Sequence, residues 1–233
     1  MARRSKTSDP ELLRVQLVAI LQDLPGRLVH GTVGEQVNEL VRINHHLRDL
    51  GASIGASLAP EDSDSGRARL IAYLRAQVGR IVHTDELMIV AAIGDYPRRI
   101  RELRTQHGWP IISGLAVRDL RLLPASPAAL KNVPTSIAPD EYLLLEDLQD
   151  KSAPDRWTVA GGRDRSQRPA ALVKDYLEQF RGQRVTAEEL RYLVGNRVDW
   201  TSSLAELAAS GADIAGIDLA APGIPPGIFV FRG

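Results

Sequence analysis

The sequence predicts a mainly α chain with small β wings, an α+β class arranged as tandem winged helix-turn-helix units behind a helical amino-terminal segment. Three observations lead there. The stretch that begins at Ala68 recurs from Ala171. Each copy reads as three helices, the first clearly amphipathic, and each then offers two β-like stretches that close it.

Composition limits what such units can do. The 233 residues, 44% hydrophobic, suffice for one large domain or two to three small ones with real cores. Lys+Arg and Asp+Glu both number 29, so affinity for a polyanion has to come from local patches and not from net charge. The chain has no cysteine, which removes disulfides, thiol nucleophiles, iron–sulfur clusters and cysteine zinc sites. No stretch approaches the roughly 20 apolar residues of a membrane span. "MARRSKTSDP" opens onto an amphipathic pattern instead of a signal-peptide core, so the expected location is the cytoplasm, with no membrane partner.

The two copies, "ARLIAYLRAQVGRIVHTDELMIVAAIGDYPRRIRELRTQHGWPI" and "AALVKDYLEQFRGQRVTAEELRYLVGNRVDWTSSLAELAASGADI", align with one single-residue gap before an Asp-aromatic pair. Tyr73 matches Tyr176, Gly79 matches Gly182, and Glu86-Leu87 matches Glu189-Leu190. Beyond the gap, Asp95-Tyr96 matches Asp199-Trp200, and Glu102-Leu103 matches Glu206-Leu207. These are core and cap positions, so what the copies share is a fold.

Each element follows in order. An amphipathic helix (Leu70, Ile71, Leu74; Leu172, Val173, Leu177) ends near a glycine, and a short β-like "RIVH" or "RVTA" follows. Thr84 or Thr186 opens a second helix with acidic residues in its first turn, where the helix dipole favours negative charge. The Asp-aromatic pair starts the third helix. "WPII" with "EYLLLE", and "ADIAG" with "GIFVF", supply the wing strands. The expected units are therefore 66–148 and 170–233, joined by a linker at 149–169 that mixes charge, proline and a Gly-Gly pair.

Residues 1–60 support two readings. "LPGRLVHGTVGEQVNELVRINHHLRDLGASI" aligns without gaps at a fixed offset of 53 residues, which describes a third, degraded winged copy. Alternatively, Val33, Val37, Leu40, Asn44, Leu47, Gly51 and Ile54 fall on alternating spacings of four and three, a coiled-coil seam with one polar position. That reading predicts a homodimer through residues 33–54.

The third helix of the first unit carries the candidate binding residues. At 100° per residue, Tyr96, Ile100, Leu103 and His107 cluster within about 60° as the buried stripe. The opposite face carries Arg98, Arg101 and Thr105. In a helix-turn-helix that ridge enters the major groove, where arginine can form two hydrogen bonds to guanine, so Arg98 and Arg101 are candidates for base contact. Arg99, Arg104 and Gln106 flank it at positions suited to phosphates. Arg118, Arg121 and Lys131 lie in a long segment before the last strand, readable as a basic wing or as an insert that packs its own leucines. Arg3, Arg4 and Lys6 could form a minor-groove arm. At the positions of Arg98, Arg99, Arg101 and Arg104 the second copy has Ser202, Ser203, Ala205 and Ala208. That surface gains little from counterion release, which points to a protein contact for the second unit.

No catalytic, metal or cofactor constellation is read. His45-His46 lacks an HExxH or cysteine context, and "AGGRDRS" lacks the GxxxxGK[ST] pattern of a phosphate loop. "PDEYLLLEDLQDK" places Gln149 where a nuclease core needs its second acid.

"GRIVHTDELMIVAAIGDYPRRIRELRTQHGWPI", followed at a distance by "PDEYLLLE", resembles the winged-helix region that precedes the catalytic domain in bacterial HNH-type and related restriction nucleases. The resemblance covers about residues 66 to 147. It implies duplex-DNA binding in a restriction or defence setting, while the paired histidines, asparagine and cysteines of an HNH domain do not occur here. Double-stranded DNA is thus the expected partner, and a nuclease or other protein the expected partner of the second unit. A transcriptional regulator using the same helix and a scaffold that binds no DNA are the other readings.

Overall fold

Asp9 accepts the amide of Glu11 at 2.9 Å and so starts helix α1, Pro10–His30, with proline at its first position. In the computed structural model the described residues are 9–59, 65–131 and 133–233. Arg3, Arg4 and Lys6 lie outside them. Thr32 and Glu35 then form a reciprocal capping box that stops the preceding turn and opens α2, Val33–Ala56. Backbone and side-chain hydrogen bonds from Thr32 hold the Glu35 carboxyl below its ordinary range. The two helices pack as a hairpin, burying Leu13 and Leu17 on α1 and Ile43 on α2. Residues 9–59 hold two helices and no strand among the described residues.

The chain divides into two units, Met1–Ala76 with Asp85–Ile100, and Gln77–Thr84 with Arg101–Gly233. In the first, the α1–α2 hairpin is joined by α3 (Gly66–Ala76), by α4 (Thr84–Ala91) and by the start of α5 (Tyr96–Thr105). Gly51 and Gly55 let α2 approach α4 closely: a Cβ on Gly51 would lie 2.5 Å from the Ile89 carbonyl oxygen. The end of α4 is capped by cations, which suit the negative end of a helix. Arg48 donates to the Ala92 carbonyl at 2.8 Å, and buried Arg69 donates to those of Val90 and Ala91 at 3.0 and 2.6 Å.

The second unit contains two three-stranded antiparallel sheets of the same design. In one, β1 (Ile81–Val82) and β2 (Ile111–Ser113) flank β3 (Tyr142–Leu144), with Leu143 opposite both Ile81 and Ile112. In the other, β4 (Arg184–Thr186) and β5 (Ile214–Ala215) flank β6 (Ile228–Phe231). The helices of the second repeat are α9 (Pro169–Gln179), α10 (Ala187–Leu193) and α11 (Trp200–Ala209). Both repeats therefore run helix, strand, helix, helix, strand, strand. Their turns agree too. Gly79 and Gly182 adopt φ of 76° and 77°, and their amides donate to Leu144 and Phe231 at 2.9 and 2.8 Å. Each repeat also ties its first helix to its second through a tyrosine and a glutamate, Tyr73 to Glu86 and Tyr176 to Glu189.

One segment differs from expectation, and another takes the second of the two readings offered for it. Residues 149–169, expected as a linker, contain helix α8 (Ala153–Gly162), which buries Ala153, Arg156 and Ala160 at helical spacing. Pro154 sits in its first turn, where proline is tolerated, and the glycines fall at its end. The long segment between β2 and β3 folds into α6 (Gly114–Leu120) and α7 (Pro127–Leu130), and puts Leu120, Leu123, Ala129, Val133 and Ile137 into the core. That core is continuous with the second repeat, reaching Trp200 and Phe229, so the two sheets of this unit share one apolar interior. Among the described residues the fold is mainly helical with small antiparallel sheets, the α+β class expected.

Candidate nucleic-acid interface

Helix α5 presents two chemically opposite faces. Tyr96, Ile100 and Leu103 are buried on one, while Arg98 and Arg101 are exposed on the other; Arg99 is half-buried, and Gln106, just past the helix end, is exposed. Thr105, half-buried, donates its hydroxyl to the Arg101 carbonyl at 2.9 Å, which leaves the oxygen able to accept. His107 is half-buried at the end of the stripe. The helix closes on Gly108, whose φ of 66° suits glycine, and a Cβ there would meet the Asp150 carbonyl.

Arg104 behaves differently from its neighbours. Its Nε donates to the Ile111 carbonyl at 2.6 Å, its Nη1 pairs with Glu188 at 3.1 Å, and its guanidinium lies 5.4 Å from the centre of the Tyr142 ring. Only 12% of the side chain is exposed, so this arginine braces α5 against the first sheet and the second repeat. Arg118 donates Nε and Nη2 to the Ile137 carbonyl at 3.0 and 2.6 Å, and Arg121 donates Nη1 to that of Val133 at 3.0 Å. These two hold the α6–α7 insert in place. Lys131 is exposed.

The second repeat faces protein through residues the sequence did not single out. Glu188, at the start of α10, accepts from both the amide and the hydroxyl of Ser113 at 2.8 Å. Asp119 on α6 receives the Trp200 indole at 3.0 Å and pairs with Arg191. Arg184 forks onto Glu146 at 2.8 Å. On α11, Ser202 is exposed, Ser203 is buried and hydrogen-bonded to the Asp199 carbonyl, and Ala205 and Ala208 are half-buried. Nothing in the sequence marks which acid each arginine takes, because the partners are far apart in the chain.

Beneath this contact lies a charged cluster. Arg156 from α8 is 1% exposed and pairs with Glu189 and Asp150, each at 2.8 Å, while Nη1 donates to Gln183 at 3.0 Å. Burial alone would lower the arginine's pKa, but the two carboxylates outweigh it and keep the cation fixed. Burial, reinforced by the Glu189 charge, pushes the Tyr176 phenol well above its ordinary range. The cleft beside Arg104, Trp109 and Arg156 has a volume of about 20 Å³, room for a single water molecule. Among the described residues no cluster of histidine, aspartate and glutamate is arranged to hold a metal ion, and no helix is long and apolar enough to cross a membrane.

The first repeat is similar to a region found in restriction nucleases. Residues 67–145 match the family model of the KpnI N-terminal domain. The match begins in α3 and ends just after β3, so it covers the first repeat and stops before the second. No curated protein and no solved structure matches the chain.

Proposed function

We propose that this chain is a duplex-DNA-binding module of a restriction or defence nuclease system, and that it reads DNA with α5 as the third helix of a winged helix-turn-helix. One observation carries the reading: α5 buries Ile100 and Leu103 while Arg98 and Arg101 stand exposed on the opposite ridge. Arginines so placed on a third helix can enter a major groove and bond guanine O6 and N7. Arg99 and Gln106 flank the ridge toward the phosphates, and Thr105 is an additional polar contact. Arg104, Arg118 and Arg121 support the frame from within. The match of residues 67–145 to a restriction-enzyme domain favours the same partner.

The second repeat serves protein contact in this scheme. Its third helix carries no cation, and its α10 is occupied by Ser113, Asp119 and Arg104. A nuclease partner would engage the surface that remains on this repeat. The test is an electrophoretic shift with random duplex at low salt. Retardation at micromolar protein that weakens steeply as salt rises is expected, because phosphate contacts release counterions. No retardation would instead favour a scaffold that binds no nucleic acid.

A further inference from the structure

We infer that the second repeat carries a contact of its own for the phosphate backbone of duplex DNA, formed where the loop before α9 meets the end of α10. Arg163, Arg165 and Arg168 stand within six residues of that loop, and among the described residues none of them pairs with a carboxylate. Arg163 donates to the Gln179 side chain. The loop's one acid, Asp164, accepts from the amide and the hydroxyl of Ser166 at 3.0 and 2.9 Å. Arg165 crosses to α10, where its Nη2 donates to the Tyr192 carbonyl at 3.3 Å and its guanidinium lies 4.8 Å from the centre of the Tyr192 ring. Arg197, in the turn that follows α10, donates Nε to the Val194 carbonyl at 2.9 Å and lies 3.5 Å from Asp199. The carbonyls that close a helix are its negative end, so α10 gathers two cations from separate parts of the chain. Arg168 is exposed and makes no side-chain hydrogen bond or ion pair among the described residues. Four arginines thus stand against two acids, Asp164 and Asp199. A guanidinium has five N–H donors, so these bonds leave donors to spare on Arg165 and Arg197.

Three features select a phosphate backbone. The first is composition. In the loop and the turn the exposed uncharged side chains are Ser166, Gln167 and Asn196, with Val198 the one large apolar group. Protein interfaces are built on an apolar core, whereas DNA interfaces are polar and positive. The second is donor chemistry. The Tyr192 hydroxyl makes no hydrogen bond among the described residues, and its ring is held by Trp157 at 5.2 Å between centres. A phenol beside planar guanidinium forks suits the oxygens of a phosphodiester. The third is the comparison of the repeats. In the register that pairs Tyr73 with Tyr176, Pro60, Asp62 and Ser65 stand where Arg163, Arg165 and Arg168 do, Ile89 replaces Tyr192, and Arg197 falls in the gap. The first repeat thus has an acidic approach to its first helix and arginines on its third, and the second repeat has the reverse. Without cations on α11 the patch holds the backbone and leaves base reading aside. The start of α10, its other end, is taken by Ser113 and Arg104.

The inference rests on duplex DNA as the ligand but not on α5 as the reader. Its test is equilibrium binding of the full chain to a random-sequence duplex, followed by fluorescence anisotropy as salt is raised. Each phosphate contact adds about 0.9 to the slope of log affinity against log salt. Arg165→Gln, Arg168→Gln and Arg197→Gln combined should therefore flatten that slope by about 2–3 and weaken binding evenly across sequences. Arg168→Gln alone, which removes no contact within the protein, should flatten it by about 1, and Arg168→Lys should keep it. A folded triple variant with the wild-type slope overturns the inference and leaves α5 untouched, and an acidic protein would then be the partner of the loop. Should the triple variant misfold, Arg168→Gln decides in the same way. A flattened slope supports the contact even where Arg98→Ala with Arg101→Ala binds as wild type does, a result that removes α5 alone. A wild-type chain that binds no duplex overturns both.

Discussion

Arg104 on α5 and Glu188 on α10 form an ion pair at 3.1 Å with both side chains largely buried, 12% and 14% exposed. The fourth arginine of an arginine-rich helix is thereby joined to the second repeat. Glu188 also holds Ser113, so the pair fixes the end of α5 against the start of the α6 insert. Replacing Arg104 by alanine strands a carboxylate in a half-dry site and should cost about 2–3 kcal/mol of stability. Urea denaturation measures that loss. At concentrations where the variant is folded, the salt slope of DNA binding should match wild type, since this side chain faces protein and not phosphate.

The close approach of α2 and α4 gives a second expectation. A methyl on Gly51 would sit 2.5 Å from the Ile89 carbonyl, and backbone cannot yield cheaply. Gly51→Ala should therefore destabilise by about 1–3 kcal/mol despite its higher helix propensity. A lowered thermal midpoint would be seen by circular dichroism. An unchanged or raised midpoint would mean that α2 and α4 are not so closely packed.

Tyr176 sets the alkaline limit. Its pKa is raised by burial first and by the Glu189 charge second, so the folded phenol keeps its proton while an unfolded one loses it near pH 10. The unfolded chain then binds fewer protons, and the stability from this group, fully present below about pH 10, falls as pH rises further. Tyr176→Phe loses the 3.1 Å hydrogen bond to Glu189, about 1–2 kcal/mol at neutral pH. It should also flatten the decline between about pH 9 and about pH 11. Denaturation midpoints across that range check both halves.

Much of this architecture was legible in the sequence, and the misreadings have physical causes. The repeat was visible because Tyr73 and Tyr176, Glu86 and Glu189, and Gly79 and Gly182 do the same jobs in both copies. The faces of α5 followed from helical periodicity, which depends on neighbours three and four residues away. Periodicity cannot tell Arg101 from Arg104, since the difference lies in Glu188, a partner distant in sequence. Gly51 was read as a seam position because spacing alone does not reveal that Ile89 packs on it. Helix α8 was hidden by proline and glycine at its two ends, although Ala153, Arg156 and Ala160 already stood at helical spacing.

The proposed reading of DNA rests on the ridge of α5. The most direct measurement is equilibrium binding of wild type and of the Arg98→Ala, Arg101→Ala double variant across a library of duplex sequences at fixed salt. The double variant should lose about 1–3 kcal/mol per base-contacting arginine and relax its preference at the guanines that wild type selects. Affinity and preference that both remain unchanged would contradict α5 as the reading helix.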